Sequence, residues 1–196
     1  MADHNRFSTG LSLNKILTFT FVSILSFMMI SFKSQTENSL PATKKHFIGE
    51  AFGGGIVFYV DSTEEHGFIV SNEDISTKAK WGFSDTALHA NAKNIGAGRS
   101  NTSIITKTLT DSTLAAGLCT HYKVDKFNDW FLPSKKELEL IYDNLKTKNL
   151  GNFADAYYWS SSETDFNNAW LVDFKSGIPI EQNTISSGHV RAIREF

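Results

Sequence analysis

The sequence predicts an α+β fold on three observations. β-rich runs open and close the folded part, two main helices lie between them, and long polar loops separate the elements. At 196 residues, 41% apolar, 20% charged and 13% aromatic, with a net charge of -2, the chain has a globular profile. That profile excludes a disordered tail and a basic nucleic-acid-binding domain. A single cysteine, Cys119, excludes an internal disulfide framework and a Cys-rich zinc cluster.

The first element is an address. Arg6 and Lys15 precede an unbroken run of apolar and hydroxyl residues over 16–32, which Lys33 closes. This reads as an export signal over 1–34, with an uncleaved membrane anchor as the alternative, because no small-x-small cleavage site follows and no lipobox cysteine is present. Removing it leaves 16 basic and 20 acidic residues, a charge of -4, so the exported part is a poor generic binder of polyanions. Residues 35–46 are polar, contain Pro41 and read as a flexible linker. The domain is expected over 47–196, with membrane contact only through the N-terminal segment.

Within the domain, residues 56–61 and 67–70 form a hairpin around a short polar loop. Gly53, Gly54 and Gly55 precede the first strand, the wrong order for a phosphate loop, and read as a bend or close backbone contact. Residues 95–98 lead into a short helix capped by Asn101 or Thr102, too incomplete a pattern for a dinucleotide site. A second helix is expected over 112–122, with Cys119 on its apolar face as a core residue. The sharpest local signal is Pro133, Ser134 and Glu137: Ser134 and Glu137 have capping-box spacing, and Leu138, Ile141, Tyr142 and Leu145 repeat at helical intervals, predicting a helix over 135–146. Strands are expected over 157–161, 169–174 and 189–193.

Taken in order, Gly53 to Asp61, Ile95 to Gly98 with Asn101 and Thr102, Asp129 to Lys135 with Glu137 and Leu138, Tyr158 to Glu163, Ala169 with Trp170, and Val190 to Arg194 form a connected set. The set resembles the C-terminal domain family of the Legionella collagen-like adhesin, frequent in exported single-domain proteins of the Bacteroidetes type. The resemblance covers residues 47–196 and implies a C-type-lectin-like fold, shared with the formylglycine-generating enzyme group. There Trp130 and Pro133 belong to a segment that opens a helix, and Arg191 and Arg194 to the strand that closes the sheet. Asp125, Lys126 and Phe127 stand where relatives often carry a glycine pair and an aromatic, and Glu195 stands in place of a small residue.

The candidate sites follow. Formylglycine-type oxidation depends on a cysteine pair, and this chain has one cysteine. Calcium-dependent sugar binding, as in many lectins of this fold, needs several hard oxygen ligands on one ion; Glu163, Asp165 and Asn167 in a polar loop are the candidates, with Asn168 as a ligand-binding amide. Asn128 and Asp129 could add oxygens. Ser160, Ser161 and Ser162 with His189 and Asp165 have the composition of a hydrolase triad but no nucleophile elbow, and read as serines on an exposed strand end. His66, His121 and His189 lack metal-ligand spacing. Among the tryptophans, Trp130 and Trp159 are expected in the core, and Trp81 and Trp170 as the exposed pair suited to sugar stacking. Arg191 and Arg194, three apart, are expected on opposite strand faces, one in a buried ion pair. The function expected is an exported, non-enzymatic binding or adhesion module recognising a glycan or protein, against a structural envelope protein and, more remotely, a hydrolase.

Overall fold

The first sheet begins and ends the folded chain. In the computed structural model, which describes residues 43–83, 85 and 87–196, strands β1 (Ala51–Phe52), β2 (Gly55–Val60) and β3 (Gly67–Ser71) form an antiparallel meander, and β9 (Ile193–Glu195) joins it beside β3. The segment 1–42, with the export signal and most of the expected linker, lies outside the described residues. Thr43–Phe196 form one compact unit. Within it His46 is buried, and its ring lies 4.0 Å from Phe52 and 4.8 Å from Phe196, tying the residues before β1 to the strand-β9 end of the sheet.

The glycine run makes the tight approach expected of it. Gly53 and Gly54 turn the chain at φ 58° and 86°, and a Cβ on Gly55 would sit 2.1 Å from the carbonyl oxygen of Val70 across the β2–β3 ladder.

The second sheet has the order β4 (Ser76–Lys80), β8 (Ser187–Val190), β5 (Tyr157–Glu163), β6 (Asn168–Asp173) and β7 (Pro179–Asn183). Its pairings are antiparallel except for β5 with β8, which meet in parallel at Tyr158 and His189. The strand expected over 189–193 is therefore two strands in two sheets, with Arg191 and Ala192 crossing between them.

Three α-helices lie between β4 and β5 in the sequence: α1 (Ala97–Thr108), α2 (Ala115–His121) and α3 (Lys135–Asn144), the last followed by a 3-10 turn at Lys146–Lys148. The first starts earlier than expected. Gly96, at φ 86°, occupies its N-cap, while Asn101 and Thr102 lie inside the helix and bond outward to other segments. The second starts later, because Asp111 accepts from the N–H (2.8 Å) and hydroxyl (2.7 Å) of Thr113 in a turn of its own. The third starts at its predicted cap. Ser134 accepts from the N–H of Glu137, and Glu137 accepts from the N–H of Ser134.

Two apolar clusters form the core. One gathers Trp81, Ile105, Leu114, Cys119, Trp130, Leu132, Trp159 and Leu171; the other joins Phe58, Leu138, Ile141, Tyr158, Phe174 and Ile193. Each large side chain so buried contributes about 1.5–3 kcal/mol. The mixture of three helices and nine strands among the described residues is the α+β class expected.

Candidate functional site

The Asp129 to Glu137 motif organises a surface site between α1 and α3. Glu137 is fully buried, and its carboxylate spans two helix starts: one oxygen accepts the N–H of Gly96 at 2.7 Å, the other that of Ser134 at 2.6 Å. Burial pushes this carboxyl above its ordinary range, against the pull of the N–H groups that bond it. Ser134 donates its hydroxyl to the carbonyl of Asn94 at 2.8 Å, and Lys136 donates its N–H to that of Lys93 at 3.0 Å. The approach is close enough that a Cβ on Gly98 would lie 2.4 Å from Glu137 Oε2.

These contacts hold residues 128–132 against α1. The Thr102 hydroxyl accepts the N–H of Leu132 at 3.0 Å. Arg194, from β9, donates to both oxygens of Asp129 at 2.7 and 3.1 Å and lies 4.1 Å above the Phe127 ring. Partial burial raises the Asp129 carboxyl, but the hydrogen bonds and charge of Arg194, aided by Arg99, hold it below the usual range.

Between α1 and this segment lies an open pocket of about 260 Å3. One wall is a helical stripe, Arg99, Thr102, Ser103 and Thr106; Thr120 of α2 and residues 128–131 complete it. Arg99 stacks 4.6 Å from the Phe131 ring, donates to the Asp129 carbonyl at 3.4 Å and makes long contacts of 4.0 Å to the carboxylates of Asp129 and Glu195. The Thr106 and Thr120 hydroxyls donate to the carbonyls of Thr102 and Gly117, both at 2.9 Å, and keep acceptor capacity toward the pocket.

The loop singled out for calcium has other commitments. Glu163 is buried, and both its oxygens accept the N–H of Leu88, at 2.9 and 3.2 Å. Asp165 accepts from the N–H of Asn167 and the side-chain amide of Asn168, bonds that lower its carboxyl. Asn167 Oδ1 accepts the N–H of Asp85 at 3.0 Å. Each of the three thus accepts from a different backbone N–H of the fold. No group of three or more His, Cys, Asp or Glu among the described residues is arranged to hold a metal ion.

The tryptophans divide differently from the expectation. Trp130 and Trp159 are buried, as anticipated, but so is Trp81, whose Nε1 donates to the Ser160 carbonyl at 2.8 Å. Trp81 is therefore a core residue, not an exposed stacking surface. Trp170 is half-buried, and Lys135 and Lys93 place their ammonium groups 3.9 and 5.3 Å from its ring centre. A stacking sugar would have to share this indole with two lysines.

The serines are also inside. All three are fully buried in β5, with Ser160 and Ser162 donating to the carbonyls of Trp170 and Ala92 and Ser161 facing the Asn101 amide. The expectation of an exposed strand end fails because β5 is central to its sheet and its C-terminal end is covered by residues 88–92. His189 bonds Asp74 at 2.7 Å rather than any serine. Both arginines make ion pairs, where one was anticipated: Arg194 with Asp129, and Arg191, only 1% exposed, with Asp74 while also donating to the carbonyls of Ser71, Gly151 and Asn152. Cys119 is fully buried, which pushes its thiol far above the ordinary range.

Sequence reasoning missed Arg99, Ser103, Thr106 and Thr120. The signal was there, as polar residues at helical spacing from Arg99 to Thr106, but it becomes visible only when the helix is started at Ala97.

A solved fimbrial protein from Bacteroides ovatus ATCC 8483 is similar at 15% identity and a TM-score of 0.46, over 65% of this chain and 35% of that one. The match thus spans about a third of that protein's length. No curated protein matches the sequence. The family described as the Lcl C-terminal domain matches over residues 72–194, which contain the Asp129 to Glu137 motif, the pocket and both arginines of the closing segment. The chain belongs to the Lcl C-terminal domain family.

Proposed function

We propose that this protein is an exported, non-enzymatic adhesion module that recognises a glycan or a protein at the cell surface. Membership in the domain family of an adhesin carries this reading. The apolar run over 16–32 supports export, and among the described residues no helix is long and apolar enough to cross a membrane. The three serines of β5 and Cys119 are buried in the interior and His189 is paired with Asp74, which supports binding over turnover.

Recognition is proposed to proceed without calcium, since the oxygens of Glu163, Asp165 and Asn167 are spent within the fold. The test is a glycan array probed with the full chain in a sugar-free detergent, with calcium and again with a chelator. Binding that survives the chelator supports the proposal. Calcium-dependent binding would return the site to Glu163, Asp165 and Asn167. Silence in both arms would exclude the arrayed glycans and leave a protein ligand or a structural envelope role.

A further inference from the structure

We infer that the pocket between α1 and residues 128–131 takes one neutral, polyhydroxylated ring of hexose size; this rests on the reading of the protein as a glycan binder. The size comes first. At about 260 Å3 the pocket lies at or just below the roughly 300–1,000 Å3 usual for small-molecule sites, enough for a single ring and too little for an extended ligand.

The hydrogen-bonding character decides the class. Thr106 and Thr120 have spent their protons on backbone carbonyls, so toward the pocket their oxygens accept. Arg99 has only a 3.4 Å contact to the Asp129 carbonyl and two 4.0 Å ion-pair contacts, and its guanidinium N–H groups are left to donate. Exposed Ser103 and Asn128 do either. A ligand hydroxyl both donates and accepts, which matches this mixture. An anion only accepts, and would leave the threonine oxygens without a partner; a cation only donates, and would face Arg99.

Charge points the same way. Arg99 and Arg194 are matched by Asp129 and Glu195, so these four formal charges sum to zero and give no excess of one sign for an ion to select. Trp130 and Phe131 also line the pocket, but both are buried and Arg99 covers the Phe131 ring, so the groups left to meet a ligand are the polar ones. None of the residues that would hold the ligand belongs to the loop proposed for calcium.

The experiment uses the full chain in a sugar-free detergent, with the methyl glycosides of glucose, galactose, mannose and N-acetylglucosamine as probes in saturation-transfer NMR titrations. At least one should bind wild-type protein. Ser103→Trp, which fills the pocket from an exposed helix position, should weaken that binding about tenfold or more. Asn128→Ala should weaken it roughly three- to tenfold, the loss of a hydrogen bond or two. Circular dichroism identifies a variant that fails to fold, and Asn128→Ala then carries the test. Binding that persists in the folded variants would overturn the pocket assignment while leaving the glycan reading intact. A wild-type protein that binds array glycans but none of the four probes would overturn the inferred ligand class. Pocket-dependent preference for a charged sugar would overturn its neutrality, and failure on both the array and the probes would sink the glycan reading itself.

Discussion

Replacing Gly98 by alanine tests whether the junction of α1 and α3 is set by close approach. Gly98 lies in the first turn of α1, where alanine is intrinsically better than glycine by about 1 kcal/mol. Propensity alone therefore predicts a more stable protein. The structure predicts the opposite, because the new Cβ would meet Glu137 Oε2 at 2.4 Å, the backbone oxygen of Leu132 at 2.8 Å and the Phe131 ring at 3.0 Å. Neither the buried carboxylate nor the backbone can yield cheaply. Overpacking of this kind costs about 1–3 kcal/mol, and displacing a buried carboxylate from its N–H donors about 1–3 kcal/mol more. Subtracting the propensity gain leaves a loss of roughly 1–5 kcal/mol, centred near 3. For a domain of this length that lowers the melting temperature by about 6–12 °C. Far-UV circular dichroism melts of wild type, Gly98→Ala and Gly96→Ala measure it. Gly96 has open space around its Cβ position and only a left-handed φ of 86°, so its alanine variant should lose about 1–2 kcal/mol. A Gly98→Ala protein that melts at or above wild type, or less destabilised than Gly96→Ala, would refute the close-approach argument.

The acid response should separate two carboxylates by sign. Glu137 is raised in the folded protein, so its ionisation costs stability above pH 4.5 and that cost is relieved as pH falls through the folded value; Glu137→Gln should flatten this part of a denaturation-midpoint profile. Asp129 is lowered, so its contribution is present above pH 3.8 and is lost only as pH falls through its folded value, and Arg194→Ala should remove that lower limb. At neutral pH, Arg194→Ala should cost about 2 kcal/mol in urea unfolding, less than a fully buried pair because Asp129 is partly exposed; Arg194→Lys should recover little, since lysine cannot reproduce the two-pronged contact. Cys119 should resist a thiol-reactive dye at pH 8 in the native protein and label fully in denaturant, and rapid native labelling would show that the α2 face opens.

What was legible in the sequence was what neighbouring residues settle among themselves. Ser134 and Glu137 satisfy each other's backbone within one helical turn, so the start of α3 was readable from four letters. The β2–β3 hairpin was equally local, as was Cys119 on an apolar helix face. The family set was readable because its pieces come in a fixed order along the chain. Other features were decided by partners far away. Trp81 meets the Ser160 carbonyl across 79 positions, Arg191 meets Asp74 across 117, and Asn101 leaves its expected capping role for the carbonyl of Ala92 and the hydroxyl of Ser161. Glu163 carries the letters of a metal ligand, yet it spends both oxygens on Leu88. The sequence by itself determined the composition of these groups and the local elements that carry them, because caps, turns and amphipathic spacing act over a few residues. Only the tertiary structure decided which polar groups were consumed inside and which faced the pocket. Burial penalises a donor or acceptor that lacks a partner, and the partner's position is a property of the packed chain.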